Sequence, residues 1–230
     1  MTVLISGGDS FTAGDELPSP EHAWPALLAR RAGYTHCATA VGGSSNSAIR
    51  RRVMNAVHSI DHNDVHVAVM WSFPNRYEFR FTYDTGNENL PWDSPWYSIN
   101  PWTYNIKDQS LKSVAQKHRL SKFAKTYVEH VADSEYWEVY TSWCEILMLQ
   151  NYLSNKNISY SFMCVDNSLF ECHSDNMDVS LHTLLDNINT FAHNEGMYNW
   201  AKRTKQPFYS FHPQESAHIE WINTVYDRIT

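Results

Sequence analysis

Apolar positions recur along this 230-residue chain in two rhythms, and the way those rhythms alternate predicts its architecture. Short, nearly continuous apolar runs, Val3-Leu4-Ile5, "YTHCATAV", "VHVAVMW" and "ISYSFMCVD", have the length and composition of strands buried on both faces. Between them the spacing becomes helical. Trp24, Leu27 and Leu28 share one face of a run that Gly33 stops, and Ile49, Val53, Val57 and Ile60 share one face of a run opened by a serine-rich cap. "YWEVYTSWCEILMLQNYLSNKN" predicts a long helix before the fourth strand. Pro213 opens a last helix whose apolar stripe is Ile219, Ile222 and Val225 or Tyr226. Strand, helix, strand, helix, strand is the order of a parallel sheet with crossovers, so an α/β fold is expected, in one domain spanning residues 1–230.

Residues 77 to about 120 interrupt that order. "ENLPWDSPWYSINPWTYN" concentrates three tryptophans, two tyrosines and three prolines, and reads as an ordered but irregular insertion. Its rings at Trp92, Trp96, Trp102 and Tyr104 either pin the loop by packing, the favoured reading, or offer a platform to a sugar or acyl group.

Composition narrows the classes of function. A content of 43% hydrophobic residues with 8 Gly and 9 Pro belongs to a packed globular chain. The net charge of -7, with basic residues scattered apart from Arg50-Arg51-Arg52, offers nucleic acid no electrostatic footprint, and those three arginines read as a solvated helix face. No apolar run approaches the roughly 20 residues of a membrane-spanning helix, and the chain enters its first strand without a basic leader or cleavage site. A soluble, intracellular protein is expected, with association with a virion left open. Cys37, Cys144, Cys164 and Cys172 lack paired metal-ligand spacing and read as reduced thiols, mostly in the core. His58, His62 and His66 recur every four residues, a spacing that invites a metal. Asn63-Asp64 is a turn signal that ends the helix before His66, so no metal is expected.

Chemistry enters at the strand ends. Ser10 follows the first strand, Gly43 the second and Asn75 the third, while His212 stands just before the final helix. In a parallel sheet the carboxyl ends of neighbouring strands share one edge, so these distant residues can line one crevice. Each has a bland alternative as a turn residue or a helix cap. Together they suit acyl transfer. A serine hydroxyl needs a base, and a neutral imidazole supplies one near pH 7. The resulting oxyanion needs donors, which the Ser10 amide, the Gly43 amide and the Asn75 side chain provide.

The pieces "GDSFTAG", "VGGSSN", "SFPN" and "HPQESAH" resemble, in order and over almost the whole chain, four sequence blocks of the SGNH, or GDSL, hydrolase family. The resemblance implies a flavodoxin-like three-layer α/β/α sandwich, esterase, lipase, acetylesterase or acyltransferase chemistry, and no cofactor. It puts Ser10 in the place of the nucleophile, Gly43 and Asn75 in those of oxyanion donors, and His212 in that of the general base. The substrate expected is a small ester or an acylated carbohydrate.

Two departures stand out. The family's aspartate three residues before the histidine is here Tyr209, which leaves the imidazole without that carboxylate; a backbone carbonyl or another acid, Asp166 among them, would have to orient it. In the third block Arg76 follows Asn75 where an acidic residue is usual, and a solvent-facing arginine is the slightly favoured reading. His218 reads as core packing, and Ser44 and Ser45 as helix caps rather than nucleophiles. The rival to a hydrolase is a scaffold of the same fold with little catalysis, serving binding or structure, or an acyltransferase using the same serine.

Overall fold

The computed structural model describes residues 1–60, 64–80, 96–100, 120–132, 134–171 and 191–229. Its centre is a parallel sheet of β1 (Val3–Gly7), β2 (Thr35–Ala38), β3 (Val65–Trp71) and β6 (Ser159–Cys164), in the order β2-β1-β3-β6. A second, antiparallel pair is formed by β4 (Tyr77–Arg80) and β5 (Trp96–Ile99).

Alternation along the strands sorts the sheet into two cores, because successive side chains point to opposite faces. Val3, Ile5, Val67, Val69, Phe162 and Cys164 face one way and bury Ile49 and Val53 of α3 (Asn46–Ser59) together with Trp143, Ile146 and Leu149 of α5 (Glu135–Asn155). Leu4, Ala68, Met70, Met163 and Val165 face the other way, against Trp24 and Leu28 of α2 (Trp24–Ala32), Met197 and Trp200 of α6 (Met197–Arg203), and Trp221, Ile222 and Val225 of α7 (Glu215–Ile229). Helices on both faces of a parallel sheet make the expected three-layer α/β/α sandwich, and the strand order is that of a flavodoxin-like fold with its switch point between β1 and β3. Among the remaining described elements are two short helices, α1 (Ser10–Ala13) directly after β1 and α4 (Leu120–Tyr127) ahead of α5, a 3-10 turn at Pro20–His22 and a π-helical turn at Val128–Ala132. None of the helices among the described residues is long and apolar enough to cross a membrane.

Several expectations need correction. Ile219 is 42% exposed on α7, whose buried stripe is instead Ala217, His218, Trp221, Ile222 and Val225, and the helix begins at Glu215 rather than at Pro213. Arg50, Arg51 and Arg52 are not a solvated face. Arg50 pairs with Glu145, Arg51 forms a two-pronged pair with Glu78 at 2.7 and 2.9 Å while lying over the Trp96 ring, and buried Arg52 donates to the carbonyl of Thr39 and to Ser44 Oγ. The insertion is not wholly irregular, since its described residues include β4 and β5, paired antiparallel, with Tyr77 and Ile99 buried. Trp92, Trp102 and Tyr104 lie outside the described residues, as do Asp61, His62 and Cys172. His66 sits on β3 with Nδ1 2.9 Å from Ser159 Oγ, whereas His58 ends α3, so the two share no helix face.

Candidate active site

The β1–α1 junction sets Ser10 in place. Asp9 caps α1 by accepting the Phe11 amide on Oδ1 at 3.0 Å, and Gly14, at φ 80°, closes the single turn through its amide to the Ser10 carbonyl. Asp9 is fully buried. Its other oxygen accepts Ser72 Oγ at 2.7 Å and a guanidinium nitrogen of Arg76 at 2.8 Å, and that same nitrogen lies 2.9 Å from Ser72 Oγ. The solvent-facing reading of Arg76 is therefore overturned: the arginine turns inward because a carboxylate buried beside a strand end needs a partner. Ser72 and Arg76 bracket Asn75, so one carboxylate fastens both ends of that turn.

Asn46 fastens the same turn from α3. Its amide oxygen accepts the Ser72 amide at 2.8 Å while its amide nitrogen donates to the Ser72 carbonyl and to Ser142 Oγ. Ser45, not Ser44, caps α3, accepting from the Ala48 amide. Gly43 adopts φ 75°, a region that glycine enters without penalty, and its loop is tied to the first through the Val41 amide and the Gly8 carbonyl. Asn75 buries its side-chain oxygen without a hydrogen-bond partner among the described residues, which leaves the amide nitrogen as the accessible end. It borders a cleft of about 250 Å³ shared with Phe73, Glu138, Asp166 and Glu171.

His212 comes to the same rim from the far end of the chain. Its ring lies 5.0 Å from that of Phe11, the residue after Ser10, and the rings of Phe73, Tyr198 and Phe211 crowd the same buried Phe11. Among the described residues neither Ser10 Oγ nor His212 Nε2 has a hydrogen-bond partner; Ser10 is 7% exposed and the His212 side chain 14%. The other ring nitrogen is engaged: Nδ1 lies 3.0 Å from Oε2 of Glu16. The Glu16 carboxylate also accepts from Ser210 Oγ and, more loosely, from the amides of Phe211 and His212 at 3.4 and 3.3 Å. These bonds, the Ser210 hydroxyl first and His212 next, hold its carboxyl down at about 2.

Tyr209, in the place of the family aspartate, is exposed, and Asp166 accepts from Ser168 rather than from His212. Neither is the acid at the histidine. The acid at the histidine ring is Glu16, two residues after the "GDSFTAG" block and 196 residues from His212, a separation that leaves no local signal in the sequence. His218 is core, as expected, but not idle: its Nδ1 accepts the Trp24 amide at the start of α2 at 3.1 Å, and burial, with the nearby His212 charge, pushes it down to about 4.

A family model matches residues 14–190, more than three quarters of the chain, and describes a family of unknown function (DUF6071); Glu16, Gly43 and Asn75 fall within the matched span, Ser10 and His212 outside it. No curated protein sequence matches the chain. Solved structures do resemble it. The psychrotrophic esterase EstA of Pseudoalteromonas sp. superposes with a TM-score of 0.54 at 16% identity, over 99% of this chain and 96% of that one. A member of the lipolytic protein G-D-S-L family from Veillonella parvula does so with a TM-score of 0.50 at 11% identity, over 99% and 97%. The acetyl xylan esterase AlAXEase gives 0.50 at 13% identity, over 99% and 100%. The shared property at these identities is the fold.

Proposed function

This chain belongs to the DUF6071 family, a family of unknown function, and we propose that it is a serine hydrolase that cleaves a small ester, a carbohydrate O-acetyl group among the fitting substrates, through an acyl-enzyme on Ser10. The observation that supports this reading is an imidazole packed against Phe11, the residue after an unengaged Ser10 hydroxyl, with its Nδ1 held by a carboxylate and its Nε2 without a partner among the described residues. The sandwich that carries both residues is one this chain has in common with EstA and AlAXEase, which are named as esterases.

In the reaction Ser10 Oγ attacks the ester carbonyl carbon while His212 Nε2 takes the hydroxyl proton. The carbonyl oxygen gains the negative charge and meets the Ser10 and Gly43 amides and the Asn75 side-chain nitrogen. Nε2 returns the proton to the departing alcohol. A water molecule then repeats the sequence on the acyl-enzyme and frees Ser10. The Phe73 and Phe211 rings give an acyl chain or a sugar face an apolar wall beside the reacting atoms.

The rival reading, a scaffold for binding or structure with little turnover, is favoured by one observation: the Ser10 hydroxyl makes no hydrogen bond to His212. Catalytic contacts of this kind often tighten only when substrate is bound. A fluorophosphonate probe decides between the two. Stoichiometric labelling mapped to Ser10 is expected, and no adduct together with no turnover of short acyl esters would sink the hydrolase. Product analysis with added sugar acceptors separates hydrolysis from acyl transfer.

A further inference from the structure

We propose that Glu16 orients His212 in this chain, a positioning carboxylate supplied by the loop after α1 in place of the acid absent at Tyr209. The inference rests on the Ser10–His212 reading above. It begins from the convergence on one side chain of four donors from three consecutive residues, Ser210, Phe211 and His212, two of them backbone amides. A surface histidine that merely meets an acid is held by its ring alone. Here the same carboxylate holds the loop backbone and the ring, which fixes the imidazole relative to the chain that carries it.

The loop is built to deliver that carboxylate. Gly14 at φ 80° and Glu16 at φ 69° both lie in the left-handed region, and together they reverse the chain after α1 so that Glu16 returns to the rim. A glutamate in that region is strained, and such strain persists where the surrounding contacts impose it. Its neighbour Asp15 packs on the second block's glycine, since a side chain on Gly42 would sit 2.4 Å from Asp15 Oδ2, and it makes no hydrogen bond to the His212 ring although its charge is felt there. The groups facing His212 are thus Glu16 and Asp15 from the loop after α1 and His218 from α7.

The geometry sets the chemistry. With Nδ1–H donating to Glu16 Oε2, the lone pair stands on Nε2, as a general base for Ser10 requires. When Nε2 takes the serine proton, Glu16 remains ionised and stabilises the imidazolium; no proton passes to it.

The test is Glu16→Gln in the full chain, assayed with p-nitrophenyl acetate across pH. Expected is a fall in kcat of about 10²- to 10⁴-fold with KM within about threefold. The acid limb of kcat/KM should move to lower pH, because an imidazolium that loses a negative neighbour is a stronger acid. A kcat within about threefold of wild type and an unmoved acid limb overturn Glu16 while leaving Ser10 in place. Should the wild-type chain neither hydrolyse esters nor take up a fluorophosphonate, it is the hydrolase reading that fails. Nitrogen-15 NMR of the imidazoles then decides the role of Glu16 by itself. The Nδ1–H tautomer of His212 in the wild-type chain, with a titration midpoint that falls in Glu16→Gln, supports it; the Nε2–H tautomer or an unchanged midpoint overturns it. The wild-type tautomer alone suffices should the variant not fold.

Discussion

The floor and the lip of the rim each pair a carboxylate with a basic side chain, in opposite surroundings. On the floor Asp9 and Arg76 are almost wholly removed from solvent, with side-chain exposures of 0% and 4%, and their bonds to Ser72 and Phe11 leave Asp9 with both oxygens occupied. On the lip Glu16 keeps a third of its side chain in water and His212 about a seventh, and His212 holds one ring nitrogen open. A buried charge pair holds loops in register, and breaking it strands a charge in a medium that cannot solvate it. A partly solvated pair contributes little to folding, so its value lies in where it points an atom. Stability is therefore assigned to the floor and reactivity to the lip.

The largest effect should come from Ser10→Ala, which removes the proposed attacking atom but no hydrogen bond among the described residues. Ester hydrolysis should fall by roughly 10⁴-fold or more while the thermal midpoint stays within about 2 °C of wild type. A midpoint shift with hydrolysis intact would move Ser10 from the lip to the floor. Arg76→Met should do the reverse, leaving Asp9 buried without this partner. A loss of about 3–5 kcal/mol, or roughly 6–20 °C in midpoint by calorimetry, is expected, and a midpoint within 2 °C would show that the floor carries no stability. Gly43→Ala asks whether the loop after β2 belongs to both regions. Space for a Cβ exists there, yet φ 75° taxes an alanine by about 1–2 kcal/mol, and Gly43→Asn should be the milder change because asparagine tolerates that region. Equal midpoints for the two variants would break the argument.

The floor and the lip were unequally legible in the sequence. Strands buried on both faces write themselves as apolar runs, so "VHVAVMW" gave β3 to the residue, and glycine, serine and asparagine at successive strand ends marked where loops would gather. Ser10 opens α1 directly after β1, and Gly43, Asn75 and His212 lie on loops tied by hydrogen bonds to the segment around it. What stayed hidden were pairings between distant charges. Arg76 looks solvent-bound until Asp9 is known to be buried beneath it, and Glu16 is one acid among several until the chain reversal at Gly14 and Glu16 is seen. Ile219 misled for a simpler reason: the apolar stripe of α7 turns on Trp221 and His218, and a histidine does not announce itself as core.

The smallest effect is a difference in pH windows, and it follows from the same contrast between buried and solvated groups. Burial, reinforced by the His212 charge and opposed by a bond with the Pro213 backbone, lowers His218 from its ordinary 6.5 to about 4. The folded chain therefore holds this imidazole neutral where the unfolded chain protonates it. Its contribution is present in full above pH 6.5 and is lost as pH falls from there to about 4, amounting to about 3 kcal/mol at most. Buried His66, also pushed down to about 4, titrates with it and sets a background. Glu16 lies lower: a carboxyl drawn from 4.5 to about 2 contributes stability above pH 4.5 that is lost only as pH falls toward 2. Thermal unfolding of the wild-type chain between pH 8 and 3 should thus lose stability mainly in the upper window. His218→Gln, which keeps an acceptor for the Trp24 amide, should flatten that window in part, and Glu16→Gln should leave it unchanged. An upper window that flattens in Glu16→Gln instead would place the lip's pair among the groups that hold the fold.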